Sequence, residues 1–222
     1  MKKAFLTIAL MSAAMYTFAQ TGVIRELSGV VEIQPAGAAA FVPATVGSVI
    51  TQDTIVSTGF RSNAIIDVGS STLTVRPLTR LSLTEIQTAA GAETLTANLQ
   101  AGRVRVDVRP PAGTTAQFTM HGPSATASVR GTSFEIDVHS VRVTEGSVFF
   151  AGNVGAPVIV NVGGESTAAA GAAAVNPLQQ ALSALSPLAP AGAGASGEVV
   201  AGGGTLAILG AEGNVSLVVN HP

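Results

Sequence analysis

The sequence predicts an all-β fold, and three observations support this prediction. From Val23 to about Val162, short runs of Val, Ile, Leu, Thr and Phe alternate with polar residues, as in strands with one face turned inward. Gly, Pro, Asn or Asp interrupts these runs every roughly eight to twelve residues, the spacing typical of an all-β domain. No stretch of this region has a sustained helical period. The pattern predicts a short layered β-solenoid or a sandwich-like arrangement.

Two segments illustrate the alternation. Val104, Val106 and Val108 alternate with Arg103, Arg105, Asp107 and Arg109. In the same way, Phe134, Ile136 and Val138 alternate with Glu135, Asp137 and His139. Each segment therefore predicts a strand with one apolar and one charged face.

A weak internal similarity favours the solenoid. Several predicted strands open with Gly followed by Val one or two residues later, with uneven spacing between them. A simpler explanation is that Gly precedes strands because turns require it, and the sequence does not separate the two. The segments concerned begin at Gly29, Gly102, Gly146, Gly197 and Gly213.

The first nineteen residues have the features of a secretory signal. Lys2 and Lys3 are followed by an apolar run, and Thr17-Phe18-Ala19 places small residues where a signal peptidase reads them. The alternative is a membrane anchor, but the run is short and interrupted, and a span needs roughly 20 apolar residues. We expect residues 1–19 to be a signal peptide and the product to be exported to the periplasm, cell envelope or exterior.

Three regions follow the signal. A β domain is predicted over residues 23–165, then an Ala/Pro/Gly-rich linker over 166–197, then a short β tail over 198–222. Within the linker, Asn176 as N-cap and Pro177 at the first helical position predict a short helix over 177–186. Leu178, Leu182 and Leu185 then share one helical face.

Composition excludes several classes of function. The chain has no cysteine, so it has no disulfide, no thiolate nucleophile and no cysteine metal site. After the two lysines of the signal, nine arginines stand against thirteen acids, a balance of −4 that does not favour nucleic acid or an anionic membrane. No second run of membrane length follows, so we expect no transmembrane span in the mature chain.

The sequence nominates no catalytic, cofactor or metal site. The three histidines are far apart, and Asp137 with His139 is a poor two-ligand set that we interpret as surface residues. No Gly-x-Ser-x-Gly element or phosphate-binding glycine loop is present. Arg103 and Arg105 share a strand face, which suits either an acidic partner or, as we favour, a solvated charged face.

The order of the short motifs resembles the FecR domain family over roughly residues 23–165. The motifs, in order, are Gly29-Val30-Val31-Glu32-Ile33; Phe41-Val42-Pro43-Ala44-x-Val46-Gly47-x-x-Ile50; Asp53-x-Ile55-x-x-Thr58-Gly59; Ser62-x-Ala64; Leu73-x-Val75-x-Pro77-x-Thr79-x-Leu81; Leu99-x-x-Gly102-Arg103-Val104; Val129-Arg130-Gly131-Thr132-x-Phe134; and Val143-x-Glu145-Gly146-x-Val148.

The resemblance implies a β-rich periplasmic domain of stacked strands that receives a signal from an outer-membrane transporter. In such members a membrane helix passes the signal to a cytoplasmic anti-sigma segment, whereas here a predicted cleavable signal stands in that place. The family motifs nominate seven residues, each as a turn brace or a partner contact, with bracing favoured. They are Thr58, Gly59, Arg130, Gly131, Thr132, Glu145 and Gly146.

Three functions are weighed on these grounds. The first is a non-catalytic envelope binding module that contacts a protein partner in signalling or assembly. The second is a structural or cell-surface envelope protein, glycan-binding or self-associating, with no signalling role. The third is an envelope enzyme acting on polysaccharide, which has few candidate groups.

Overall fold

The structure is a computed structural model that describes residues 21–89, 91–185, 207–208 and 215–216. The predicted signal peptide, residues 1–19, lies outside the described residues. So do residues 186–206 of the predicted linker and tail and most of the rest of the tail. Among the described residues, no helix has the length and apolar character needed to cross a membrane.

The described residues up to 185 contain seventeen strands and one helix. The strands, in chain order, are β1 (Gly22–Ser28), β2 (Val31–Gln34), β3 (Val42–Pro43), β4 (Val49–Ile50), β5 (Ile55–Thr58), β6 (Asn63–Val68), β7 (Ser71–Val75), β8 (Arg80–Ala89), β9 (Ala92–Ala101), β10 (Arg103–Val108), β11 (Thr115–His121), β12 (Ala125–Val129), β13 (Ser133–Asp137), β14 (Ser140–Glu145), β15 (Ser147–Gly152), β16 (Val158–Asn161) and β17 (Glu165–Thr167). The helix is α1 (Pro177–Leu185).

These strands form two open sheets. The eight-stranded sheet has the order β17-β14-β13-β10-β7-β6-β1-β4, and the nine-stranded sheet has the order β16-β15-β12-β11-β9-β8-β5-β2-β3. Strand pairing is antiparallel except between β9 and β11, which run parallel because the chain crosses to β10 in the other sheet before it returns. The all-β class predicted from the sequence is confirmed.

One apolar core joins the two sheets. The inward residues of both sheets, predicted from the alternation, form a single buried cluster. Phe118 of β11 and Phe134 of β13 are fully buried, and their ring centroids lie 6.1 Å apart in an edge-on arrangement. Since these rings come from opposite sheets, aromatic packing ties one sheet to the other.

The predicted helix is present, and its start has the predicted cap. The side-chain oxygen of Asn176 accepts a hydrogen bond of 2.9 Å from the Leu178 N–H, which satisfies one free donor of the first turn. Leu178 and Leu182 of the predicted apolar face are both exposed.

The chain divides into two compact units, Met1–Ala184 and Leu185–Pro222. In the second unit, β18 (Ala207–Ile208) and β19 (Val215–Ser216) pair antiparallel, and both lie in the range 198–222 of the predicted tail.

We expect the Phe118–Phe134 contact to be a main source of stability. Phe134→Ala removes a fully buried ring and should lower the free energy of unfolding by about 3–5 kcal/mol in urea denaturation. Phe149→Ala is the control, because Phe149 is an exposed residue of the same chain and its loss should change stability by less than about 0.5 kcal/mol. Equal losses in the two variants would contradict this account of the core.

Candidate functional site

A recurring corner holds the strand ends together. Each corner pairs a three-residue turn, ending in a buried Ser or Thr, with a glycine at positive φ on a neighbouring strand connection. The three turns are Phe60-Arg61-Ser62, Pro77-Leu78-Thr79 and Arg130-Gly131-Thr132, and their glycine partners are Gly29, Gly102 and Gly146 respectively. We call this arrangement a braced corner.

At each corner the hydroxyl bonds to the main chain of the residue that follows the glycine. At the first, Ser62 Oγ accepts from the Val30 N–H at 2.8 Å and donates to the Phe60 carbonyl at 3.1 Å. At the second, Thr79 Oγ1 accepts from the Arg103 N–H at 3.0 Å. Buried backbone groups at these strand ends are thereby satisfied, which they must be because an unpaired buried donor is costly.

The third corner contains the family motif. Thr132 is buried, and its Oγ1 donates to the Ser147 carbonyl at 3.0 Å. Gly131 has φ +62 and Gly146 has φ +78, and a Cβ on Gly146 would lie 3.0 Å from Thr132 Oγ1. Gly131, Thr132 and Gly146 therefore lie together at one closely packed corner.

Thr58 and Gly59 connect the first two corners. Thr58 is buried, and its Oγ1 donates to the Arg76 carbonyl at 2.6 Å and accepts from the Thr79 N–H at 3.0 Å. The Gly59 N–H donates to the Val30 carbonyl, and the Gly59 carbonyl accepts from the Leu78 N–H. Thr58 and Gly59 therefore bond to main-chain groups of both corners.

The predicted residues lie at two opposite ends of the molecule. Arg103 pairs with Asp137, and Asp107 pairs with Ser133, so the start of β13 is at the far end of β10 from Gly102. The Arg130-Gly131-Thr132 corner is consequently at one end of the strands and the Thr58-Gly59 link at the other. A single site cannot contain both sets.

The end with Thr58 carries an exposed apolar surface. Val30, Phe60 and Leu78 are 65%, 71% and 61% exposed. They are neighbours, because the Gly59 main chain bonds to both Val30 and Leu78. With Arg61, whose guanidinium lies 5.3 Å from the Phe60 ring centroid, they form a patch that we call the Phe60 end.

Leu78 has an unusual backbone for its residue type. Its φ is +56, in the left-handed region that disfavours side chains with a Cβ and costs of order 1–3 kcal/mol. Most of its side chain faces solvent, so Leu78 gives the fold little packing in return. Glycine would relieve this strain, and the presence of leucine therefore suggests a role outside the fold.

A charged groove of 640 Å³ adjoins the Phe60 end. Leu78 and Pro77 form its apolar side. On the other side, Arg103 Nη2 lies 3.2 Å from Asp137 Oδ2, and Arg76 Nε lies 3.7 Å from Glu135 Oε1. The charges of the groove are paired with each other.

Asp137 lines this groove and bonds to the turn that follows β13. Its Oδ1 accepts from the main-chain N–H groups of His139 and Ser140, each at 2.8 Å, and its Oδ2 accepts from the Ser140 hydroxyl. Burial acts to raise the pKa of Asp137, but these hydrogen bonds and the one from Arg103 outweigh it and hold the pKa below its usual value.

The other predicted charged residues are placed as follows. Arg105 pairs with Asp107, and burial acts to raise the pKa of Asp107, but hydrogen bonds from Arg105 and Ser133 outweigh it and lower the pKa. The Arg103–Arg105 face is therefore internally neutralised, as in the solvated alternative. Arg130 is exposed, and no carboxylate of the described residues lies within ion-pair distance of it. Glu145 is exposed and accepts from Ser133 Oγ at 3.4 Å.

Across residues 21–89 and 91–185, no group of three or more His, Asp or Glu side chains is arranged to hold a metal ion. His139 places its ring Nδ1 3.0 Å from the hydroxyl of the buried Ser124, and its main-chain N–H is bonded to Asp137. These contacts give His139 a structural role at the turn after β13.

Sequence reasoning did not identify Val30, Phe60 or Leu78. Phe60 and Leu78 stand in turns, where an aromatic or aliphatic side chain has no inward face to occupy. Large apolar side chains at turn positions were therefore the sequence signal that could have identified Phe60 and Leu78. Which turns are neighbours depends on strand register, which the sequence does not show.

Residues 54–150 match the family model described as FecR protein. The resemblance to the FecR domain that the motifs predict is confirmed over this range. The match lies inside the range 23–165 predicted from the motifs and includes the second and third braced corners, Phe60 and Leu78. No curated protein and no solved structure matches the chain. Strands β1–β4 before the FecR match and β16–β17 after it continue the same two sheets.

The corner glycines should differ from ordinary turn glycines. Gly47 has φ +88 with open space around its Cα. Gly47→Ala should therefore lower the free energy of unfolding by about 1 kcal/mol, which is the cost of placing a Cβ in the left-handed region alone. Gly102 has φ +86, but an added Cβ would lie 2.6 Å from the Leu78 carbonyl oxygen. Gly102→Ala should cost more than about 2 kcal/mol by urea denaturation. Equal costs would show that the corner is not tightly packed.

Asp137 should make stability depend on acid pH. Its folded-state pKa lies below its ordinary value of 3.8, so the stability it contributes is present above pH 3.8 and is lost as pH falls through the folded pKa. Asp137→Asn should therefore flatten the fall in unfolding free energy below pH 3.8. Glu26→Gln is the control, because it removes the same charge from an exposed carboxylate on the same sheet. An unchanged acid profile in Asp137→Asn would refute this role.

Proposed function

We propose that this protein is a non-catalytic, exported envelope protein whose FecR domain binds a protein partner at the Phe60 end. The FecR match supports a role in envelope signalling or assembly. The observation that carries the choice of surface is Leu78, a strained and exposed leucine beside Phe60 on a rigid corner. Binding surfaces collect such strained, solvent-facing apolar residues, since the energy is recovered in the complex.

The Phe60 end has the composition of a protein interface. Aromatic and arginine side chains carry much of the binding energy in protein complexes, and here Phe60 and Arg61 stand next to each other on one turn. No carboxylate of residues 21–185 that the structure describes pairs with Arg61. The surface therefore suits a partner with an apolar centre and an acidic group at its rim.

The finer architecture also belongs to this proposal. The passage from β9 through β10 to β11 makes one full coil and leaves β9 and β11 parallel in the same sheet. That coil supports a short layered solenoid with two braced corners at one end of the strands and the third at the other. Such a scaffold holds exposed turns rigidly, and rigid presentation lowers the entropy lost on binding.

The proposal that the protein is not an enzyme rests on the sequence, which nominates no catalytic site. A periplasmic or envelope location is supported by the predicted signal at residues 1–19 and by the envelope association of the FecR family. A structural or glycan-binding role without signalling is the alternative. The cross-linking experiment described next distinguishes it from the proposed function.

The test is photo-cross-linking in cells, followed by mass spectrometry. A benzoylphenylalanine at position 60 should capture one envelope protein, and the same residue at position 154 should not capture it. Val154 is the matched control, because it is 53% exposed in the connection from β15 to β16, and β15 is five strands away from β5 in the nine-stranded sheet. Leu78→Gly should keep or raise the folding stability, since it relieves the backbone strain, yet lower the capture yield at least about tenfold.

The other outcomes decide between the alternatives. Equal capture from positions 60 and 154, or full capture by Leu78→Gly, would contradict the proposed surface. Adducts with glycan alone would establish the glycan-binding alternative. Adducts with this chain alone would establish a structural oligomer built on the Phe60 end.

A further inference from the structure

The two sheets have four edge strands in the described part of the chain, and three of them are protected. β3 contains Pro43, which has no N–H to offer, and β4 has two residues. β17 is covered by the segment that follows it, because the Val175 N–H donates to the Thr167 carbonyl at 2.8 Å. These are the usual ways in which proteins keep sheet edges from pairing with other chains.

The fourth edge, β16, is open. Among the described residues, β16 pairs with β15 and with no other strand. Its four residues, Val158–Asn161, contain no charge and no proline. Ile159 is 54% exposed on its outer face. An uncharged aliphatic edge of this kind is a template for strand addition.

A groove of 770 Å³ separates β16 from α1. The exposed side chains of Ile159, Val162 and Leu178 line it together with Pro157 and Ala181. None of its lining residues is charged. The apolar side chains therefore form one contiguous patch beside the open edge, which is a mark of an interaction surface.

We propose that a second copy of this chain occupies the β16–α1 groove. The groove requires an open strand with aliphatic side chains and no charge, since a charge placed there would lose its hydration without meeting an opposite charge. β16 itself meets this requirement. Two copies related by a two-fold axis pair β16 antiparallel with β16, and α1 of each copy packs against the other copy.

The distribution of charge permits this contact. The seven ion pairs of the described residues lie on the eight-stranded sheet or at its strand ends. Edge pairing through β16 extends the nine-stranded sheet and leaves those charged faces in water. The surface is small beside the 20–30 residues per side of a standard interface, so we expect a dimer with a dissociation constant of about micromolar order.

The first test is sedimentation velocity of the full chain, expressed with its own N-terminal segment, from about 1 to about 200 µM. The wild type should shift from monomer to dimer over this range. Ile159→Lys should weaken dimerisation at least about tenfold, since it places a charge in the uncharged groove. Val49→Lys is the matched control, because Val49 is 53% exposed on the edge strand β4 of the other sheet. A monomeric wild type, or equal effects of the two lysines, would overturn the proposal.

The second test does not depend on a disruptive substitution. The chain has no cysteine, so Ile159→Cys introduces a single thiol. Oxidation should join two Ile159→Cys chains covalently, whereas Val49→Cys chains should stay monomeric. The proposal is wrong if neither cysteine cross-links. It is also wrong if the chain dimerises only after removal of residues 186–222, because the chain's own tail would then be the occupant.

Discussion

The buried hydroxyl at each braced corner is the contact on which the rest of the molecule depends. Strands of both sheets end at these turns, and the main-chain groups of the turns are buried away from water. Ser62, Thr79 and Thr132 satisfy those groups, and each requires a glycine close by because its hydroxyl fills the space of a Cβ. At Gly29, Gly102 and Gly146, Gly thus precedes a strand for one reason: a strand that starts over a buried hydroxyl has room only for Gly. Gly197 and Gly213 lie outside the described residues.

The two sheets differ in what they show to solvent. The outer face of the eight-stranded sheet carries paired charges in register, as in Arg105, Glu135, Arg142 and Glu165 on adjacent strands. The described outer face of the nine-stranded sheet is mostly neutral, and it ends in the aliphatic edge of β16. A charged face keeps the molecule soluble, whereas the Phe60 end and the β16 edge are left for contacts.

Much of the fold followed from local pattern, and the site did not. Alternation identified the inward residues of β10 and β13 because a strand has a fixed two-residue period. Asn176 and Pro177 identified the start of α1 through capping chemistry that involves only neighbouring residues. The position of Leu78 beside Phe60 depends on which strand connections meet, and that is a property of register between distant segments. For the same reason, the family motifs could not reveal that Thr58 and Thr132 brace opposite ends.

The parallel pair of β9 and β11 has a consequence for how the chain folds. Some strand pairs here join neighbours along the chain, as β6 joins β7 and β8 joins β9, so they close over short loops. β11 reaches β9 only after β10 has crossed to the other sheet and the chain has come back. We expect this coil to close later than the hairpins, because non-local pairing must lose more chain entropy before it gains contacts. Until it does, the inward faces of β9 and β11 stay exposed, and the newly made chain is most open to aggregation and proteolysis during that interval.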